Sequence, residues 1–341
     1  MLRDANGQSC LSLAVETNNA KLLPVLLEAA GERKLELLMM SCDGDMCPLY
    51  IAAERGLADV VKELLEAAGE QKLLMLNTDS GRVSLHIAAE LVHVEVVNVL
   101  LAYVATCDPP AQRALLLARR WRSGDAEGQP TGMGCLHVAM RSLVRKDRID
   151  AKTLSETMLK PLLQAADNAG VLGELLTMTE HNGSTCLHAV VDRYYGVHEC
   201  TEVLLHAAGT AGVLGELLTM TDHKGRTCLH AVAEDGSDAR SRDVLRVLLQ
   251  AAHTAGVLSK VLMITDHEGR TLLRYPWARA ELRTLFELEG RRCVWLRSFT
   301  TEEFHRKAVR EALAMEAAVV GSAPTREKRR LLHWLYYPMF M

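Results

Sequence analysis

GVLGELLTMTEHNGSTCLHAV runs from Gly170, and GVLGELLTMTDHKGRTCLHAV runs from Gly212. The two stretches agree at 18 of 21 positions and start 42 residues apart. A chain that repeats itself so closely is built from units, and internal repetition is the first pattern to trace. The core of the stretch returns in weaker form along the first 270 residues. An acidic or small residue and a Gly lead through a short turn to a Leu, often followed by His. DANGQSCLSLA from Asp4, TDSGRVSLHIAA from Thr78, PTGMGCLHVA from Pro130 and DHEGRTLLR from Asp266 are further copies. DGDMCPLYIAA from Asp43 is a variant with one extra residue. The aligned leucines are Leu11, Leu49, Leu85, Leu136, Leu187, Leu229 and Leu273.

A pair of leucines follows each of the first three anchors by 15 residues: Leu26-Leu27, Leu64-Leu65 and Leu100-Leu101. Leu162-Leu163, Leu204-Leu205 and Leu248-Leu249 continue the series after longer gaps. Between anchor and pair the apolar residues keep helical spacing, broken once by a Gly or a polar turn. IAAERGLADVVKELLEAA shows it, with Ile51, Ala52 and Ala53, then Gly56, then Val60, Val61, Leu64 and Leu65. Each unit therefore predicts a short turn, a small-residue helix, a tight reversal and a second, amphipathic helix.

These units resemble the ankyrin repeat, whose hallmark is a T-P-L-H-x-A pattern opening the first helix of a turn–helix–helix unit. CPLYIAA at Cys47, VSLHIAA at Val83 and TCLHAVA at Thr227 carry the likeness, which covers residues 4 to about 274 in six full units and one partial. The resemblance implies an all-α solenoid of turn–helix–helix units. A Cys stands where that family prefers Pro at Cys10, Cys135, Cys186 and Cys228. The anchors are spaced 38, 36, 51, 51, 42 and 44 residues apart, against about 33 in the family. GVLGELLTMT and its relatives account for the excess in the last units. Val213, Leu214, Leu217 and Leu218 sit at i, i+1, i+4 and i+5, the apolar face of a short extra helix expected under the second one. Residues 107–132 insert another such helix (AQRALLLARR) and a polar loop, and residues 141–158 lengthen the fourth unit.

Composition changes near residue 270. Residues 271–341 carry 13 Lys+Arg against 8 Asp+Glu, net +5, while residues 1–270 carry net −9. Ten of the fifteen aromatic residues fall after residue 274. The expected division is therefore a repeat array over 1–274 and a helical segment over 275–341. At Tyr275-Pro276 the repeat pattern is lost, since proline obstructs the usual first helix. TTEEFHRKAVREALAMEAAVVG then predicts an amphipathic helix opened by a capping box of Thr300 and Glu303 and ended at Gly321. This segment reads first as a cap on the stack. A docking element for another protein and a membrane-surface attachment through Arg326, Lys328, Arg329 and Arg330 are the alternatives.

The remaining bulk features exclude several classes. Nine cysteines, an odd number without a compact framework, fit free thiols in a reducing compartment. No apolar run reaches the roughly 18 residues of a membrane span, and MLRDANGQSC has no apolar stretch of signal-peptide type. A cytoplasmic, monomeric protein is expected, with no stable membrane insertion. The net charge of −4 makes no case for nucleic acid as a partner.

Cys135-x-His137, Cys186-x-His188 and Cys228-x-His230 invite a zinc reading. Each pair recurs at one place in successive units, however, and packed helices lie roughly 8–10 Å apart, so equivalent side chains cannot converge on one ion. A repeated Cys–His pair also argues against a catalytic dyad, which is needed once. The resemblance implies instead a buried Cys and a His that hydrogen-bonds the turn. TGMG at Thr131 lacks the Lys and the strand context of a phosphate loop. No catalytic residue, metal or cofactor is expected.

What remains is recognition of another protein. The resemblance implies binding at the turn tips, here Arg82, Asn182, Lys224, Arg226, Glu268 and Arg270, and at the start of the first helix. His181, His223 and His267 also occupy tips and are expected to be exposed. Just past the small-residue pairs lie Glu16, Glu54, Glu90, Arg141, Asp192 and Glu234, five of six acidic. They form a stripe for which the sequence shows no folding partner, suited either to plain solvation or to a basic partner. A non-enzymatic scaffold is the first reading. An adaptor of a regulatory assembly such as a ubiquitin ligase, or the recognition arm of a larger enzyme, are the others.

Overall fold

A computed structural model of the chain describes residues 4, 8–40, 47–69, 83–119, 132–142, 151–191, 197–235, 239–288, 306 and 309–310. Among these residues the structure is helical, with isolated β-bridges such as that of Thr265 with Thr271. None of the described helices is long and apolar enough to cross a membrane. The chain divides into two compact units, Met1–His181 and Asn182–Met341.

The first unit opens with α1 (Cys10–Glu16), whose start is capped by the Ser9 hydroxyl accepting the Ser12 N–H at 3.1 Å. The chain reverses into α2 (Leu22–Ala30) and a short α3 (Lys34–Met39). The second repeat supplies α4 (Pro48–Glu54), begun by a proline where no N–H is needed, and α5 (Ala58–Ala68). The third supplies α6 (Ser84–Glu90), α7 (Val94–Val104) and α8 (Pro109–Leu116). In the fourth, α9 (Cys135–Ser142) precedes a helical run in which α10 (Ala151–Leu154) passes through a π turn, Ser155–Leu159, into α11 (Lys160–Asn168). Pro161 lacks the N–H that an α-helical ladder would require there, and the Lys160 N–H reaches back to the Ser155 carbonyl instead. The short α12 (Leu172–Thr177) closes the unit.

First helices stack on first helices, α1 on α4, α4 on α6 and α6 on α9. The small pairs allow that approach, since Ala52, Ala53, Ala88 and Ala89 are at most 1% exposed. Second helices stack likewise, α5 on α7 and α7 on α11. The reversal between the two helices needs a left-handed residue, which is Asn18 (φ 51°), Gly56 (φ 74°) and Val92 (φ 59°) in successive repeats. At Gly56 there is a second reason. The His93 ring lies across it, 2.6 Å from where a Cβ would stand, with Nε2 2.9 Å from the Glu54 carbonyl oxygen.

The second unit repeats the plan with α13 (Cys186–Val191), α14 (Val197–Thr210) and α15 (Leu214–Thr219), then α16 (Cys228–Asp235), α17 (Ala239–Thr254) and α18 (Leu258–Met263). In the seventh repeat the first helix shrinks to a 3-10 turn, Leu272–Arg274. Pro276 does not end helical structure; it begins α19 (Pro276–Leu288), which packs on α17. Glu281 of α19 is 7% exposed and accepts Nε (3.1 Å) and Nη2 (2.8 Å) of Arg246 on α17.

All seven anchor leucines are at most 2% exposed. Of the paired leucines only Leu26 is not fully buried. The extra short helices are where the repeat lengths predict them, with Leu175-Leu176, Leu217-Leu218 and Val261-Leu262 each 0% exposed. Val213 and Leu214, by contrast, are only half-buried. The short helix α15 does more than lie under its own second helix, since it touches both α14 and the following α17. The first repeat has one too, α3, placed against α5. Its LELLM pattern was the available clue. Of the helix expected over 300–321 only residues 306, 309 and 310 are described, all three helical; most of the polar loop in 107–132 and residues 143–150 lie outside the described residues.

Candidate functional site

The turns of the second unit are built by one side chain each. Asp222 Oδ1 accepts the backbone N–H groups of Lys224 (2.9 Å) and Arg226 (2.8 Å), folding the tip over it. Asp266 does the same for Glu268 (2.9 Å) and Arg270 (2.8 Å). In each turn the second carboxylate oxygen takes the arginine four residues on, Arg226 Nη2 at 2.8 Å and Arg270 Nε at 2.6 Å. Burial opposes the charge on Asp222, but these N–H groups and the guanidinium outweigh it and hold its carboxyl below the usual range. The same balance lowers Asp266.

Successive turns are then tied together. The His223 N–H donates to the Asn182 carbonyl at 2.9 Å, and the His267 N–H to the Lys224 carbonyl at 2.8 Å. A left-handed glycine sits at each tip, Gly183 (φ 73°), Gly225 (φ 73°) and Gly269 (φ 71°). A Cβ on Gly225 would lie 2.8 Å from the His267 ring, whereas one on Gly269 meets nothing within 4 Å.

The repeated histidines serve the turns from within. His188 is 3% exposed, receives the Thr185 N–H on Nδ1 at 3.2 Å, and directs Nε2 at the Arg226 carbonyl oxygen at 3.0 Å. His230 faces the Thr227 hydroxyl with Nδ1 at 2.8 Å. Its desolvation depresses the ring pKa and keeps it neutral. Cys135, Cys186 and Cys228 are fully buried beside these histidines. Burial pushes the Cys135 and Cys228 thiols up to about 12, which disfavours the thiolate form. Among the described residues no group of three His, Cys, Asp or Glu side chains is placed to share a metal ion.

Of the sequence-derived site residues, Arg226, Glu234, Glu268 and Arg270 come together in one network. Glu234 accepts Arg226 Nη1 at 2.5 Å and stands 3.7 Å from Arg270 Nη2, while Arg270 Nη1 reaches Glu268 at 2.9 Å. Glu234 therefore has folding partners from two successive turns, contrary to the expectation that the stripe is unengaged. Asn182, Lys224 and Arg226 line a cavity of about 210 Å³ with Ser184 and His188. Lys224 and Glu268 are exposed at the tips, as are His181, His223 and His267. In the first unit Glu54 is exposed and Glu90 half-buried at the ends of α4 and α6. Arg82 and Asp192 lie outside the described residues.

The exception in the stripe has a physical cause. Arg141 donates to Glu180 at 2.7 Å, and the Glu180 side chain is 0% exposed. Glu180 occupies the place of Asp222 and Asp266, but Ser184 stands where those turns carry arginine. The helix supplies the cation that the turn lacks. Sequence reasoning missed these turn acids, although the D-H-x-G-R spacing and the one basic member of the stripe were the signs.

Stacked turn–helix–helix units with tied turns define a repeat scaffold. Residues 11–113 match the family model described as ankyrin repeats, in three copies, so that stretch is an ankyrin-repeat array. No curated protein matches it. Among solved structures it is similar to a chain of the complex of the Bd0816 predatory endopeptidase from Bdellovibrio bacteriovorus with immunity protein Bd3460. That likeness has a TM-score of 0.47 and 19% identity, covering 72% of this chain and 98% of that one. It is also similar to the ankyrin repeat domain of Bcl-3, of the IkappaB family, with a TM-score of 0.36 and 21% identity, covering 71% of this chain and 99% of that one.

Proposed function

We propose that this chain is a non-enzymatic scaffold that holds another protein through its turn tips and the adjoining ends of its first helices. The observation that carries the reading is the division of labour within each turn of the second unit. Backbone and buried groups are locked by the Asp222 and Asp266 bonds and by the turn-to-turn ladder. Lys224, Glu268, His223 and His267 are left exposed on that rigid frame. A backbone fixed before contact loses less freedom on binding, which favours affinity. A cytoplasmic setting is part of the proposal and rests on the nine cysteines, an odd number without a compact framework.

Proximity labelling with the intact chain tests the reading. The labelled set should lose its principal members when Lys224→Glu and Glu268→Lys are combined. It should keep them when the exposed Lys260 of α18 is changed to Glu. Identical sets from all three chains would remove the turn tips as the binding face.

A further inference from the structure

We infer that the cavity between the fifth and sixth turns is a subsite for a carboxylate side chain, Asp or Glu, of the bound protein. The inference rests on the scaffold reading and names the chemistry of its partner at one position.

The cavity exists because of Ser184. The next two turns carry Arg226 and Arg270 at that place, long side chains drawn onto their own turn acids. With serine instead, a space of about 210 Å³ opens between Asn182, Ser184 and His188 on one side and Asp222, Lys224 and Arg226 on the other. That volume accommodates a carboxylate with its short stem.

The hydrogen-bonding capacity of the lining decides what fits. The acceptors of Asp222, Asn182 and the Arg226 carbonyl are occupied. Asp222 receives four N–H bonds, from the backbones of Lys224 and Arg226 and from Arg226 Nε and Nη2, which is the full complement of a carboxylate. Asn182 Oδ1 takes the Ser184 N–H at 3.0 Å, and the Asn182 carbonyl takes the His223 N–H at 2.9 Å. The Arg226 carbonyl faces His188 Nε2 at 3.0 Å. The Asn182 NH2 group and the exposed Lys224 ammonium are donors that face the cavity with no bond among the described residues. A cavity whose carboxylate and amide acceptors are spent and whose available donors include a cation selects an anionic acceptor.

The test uses a phage-displayed random peptide library selected on the intact chain, with affinities of the selected peptides measured by fluorescence polarisation. Asn182→Asp is the central variant. It keeps an oxygen for the Ser184 N–H and the shape of the side chain, but turns the donor into a charged acceptor. Lys224→Met keeps the stem and removes the charge, and Lys260→Met controls for charge alone. Selected peptides should share an acidic residue whose change to Gln or Asn weakens binding about tenfold or more. Asn182→Asp and Lys224→Met should each weaken the parent peptide by a similar factor with an unchanged melting temperature. In the doubly substituted chain the acidic residue of the peptide should no longer matter. Peptides that lose affinity with Asn182→Asp yet carry no acid would overturn the carboxylate subsite and leave the scaffold reading standing. Peptides indifferent to both variants would overturn the subsite and move binding elsewhere on the array. If no peptide binds any form of the chain, both readings fall together.

Discussion

At the scale of single residues, the close approach of neighbouring turns is readable from two glycines with the same backbone and different surroundings. Gly225 and Gly269 have φ of 73° and 71°, a conformation that costs an L-residue roughly 1–2 kcal/mol. Only Gly225 has a neighbouring turn in its way. Gly269→Ala should therefore cost about 1 kcal/mol, and Gly225→Ala about 2–3 kcal/mol because the clash adds to the strain. Equal costs in chemical denaturation would mean that turn-to-turn packing is looser than the structure has it. Titration makes a second residue-scale prediction. His230 has a pKa lowered from 6.5 by burial, so the unfolded chain binds its proton first as pH falls. Its neutral form contributes stability above about pH 6.5, and that contribution declines below it. Asp222 and Asp266, lowered from 3.8, contribute above that value and lose their contribution as pH falls through the acid range. Melting temperature should thus drop in two stages on acidification, and His230→Gln should flatten the first stage alone.

At the scale of elements, the joints between repeats combine apolar stacking with short charge relays. Glu234 belongs to such a relay and Glu54 does not, although both occupy one position in the repeat. Glu234→Lys would place a third cation beside Arg226 and Arg270. It should lower the melting temperature by roughly 1–3 °C, in the range of a partly exposed ion pair. Glu54→Lys should leave the melting temperature where it is. Matching shifts for the two variants would show that the relay adds nothing to the joint. The helix α19 is the other element with a structural claim. Phe286 is 0% exposed, with Leu282 and Leu285 beside it at 0% and 1%, and α19 packs on α17. We propose that residues 272–288 cap the array, and Phe286→Ala should then destabilise it by about 3–5 kcal/mol. An unchanged unfolding midpoint would identify α19 as a separate docking element.

At the scale of the whole molecule, a stacked array has stability that sums over neighbours, so a repeat with fewer neighbours opens first. Among the described residues of the first unit the large exposed apolar side chains are Leu13, Leu22, Val25 and Met39, at 47%, 44%, 59% and 40%, all in the first repeat. Two of their counterparts in α6 and α7 are the buried Ile87 and Val96. Amide hydrogen exchange should accordingly be faster in α1 and α2 than in α6 and α7. Protection in α1 equal to that in α6 would show that the first repeat is covered by something further.

The repeat, the helix-forming segments and the buried leucines were legible in the sequence for a physical reason. A unit that cannot bury its apolar face alone must copy the same contacts into each neighbour, and copied contacts leave a copied pattern. Leu11, Leu49 and Leu85 report burial from spacing alone, and the excess length of the late repeats reports the short helices that carry Leu176, Leu218 and Leu262. The charges did not yield to the same reading. A carboxylate looks alike in sequence whether solvated, as Glu54 is, or held between two arginines, as Glu234 is. The partner lies in the next turn, 36 residues along the chain from Glu234 to Arg270. The space beside Ser184 has the same origin, since a missing side chain becomes a cavity only where two turns are brought face to face. Burial follows from a local pattern that each repeat carries within itself, whereas pairing and cavities arise between repeats and exist only once the chain has stacked.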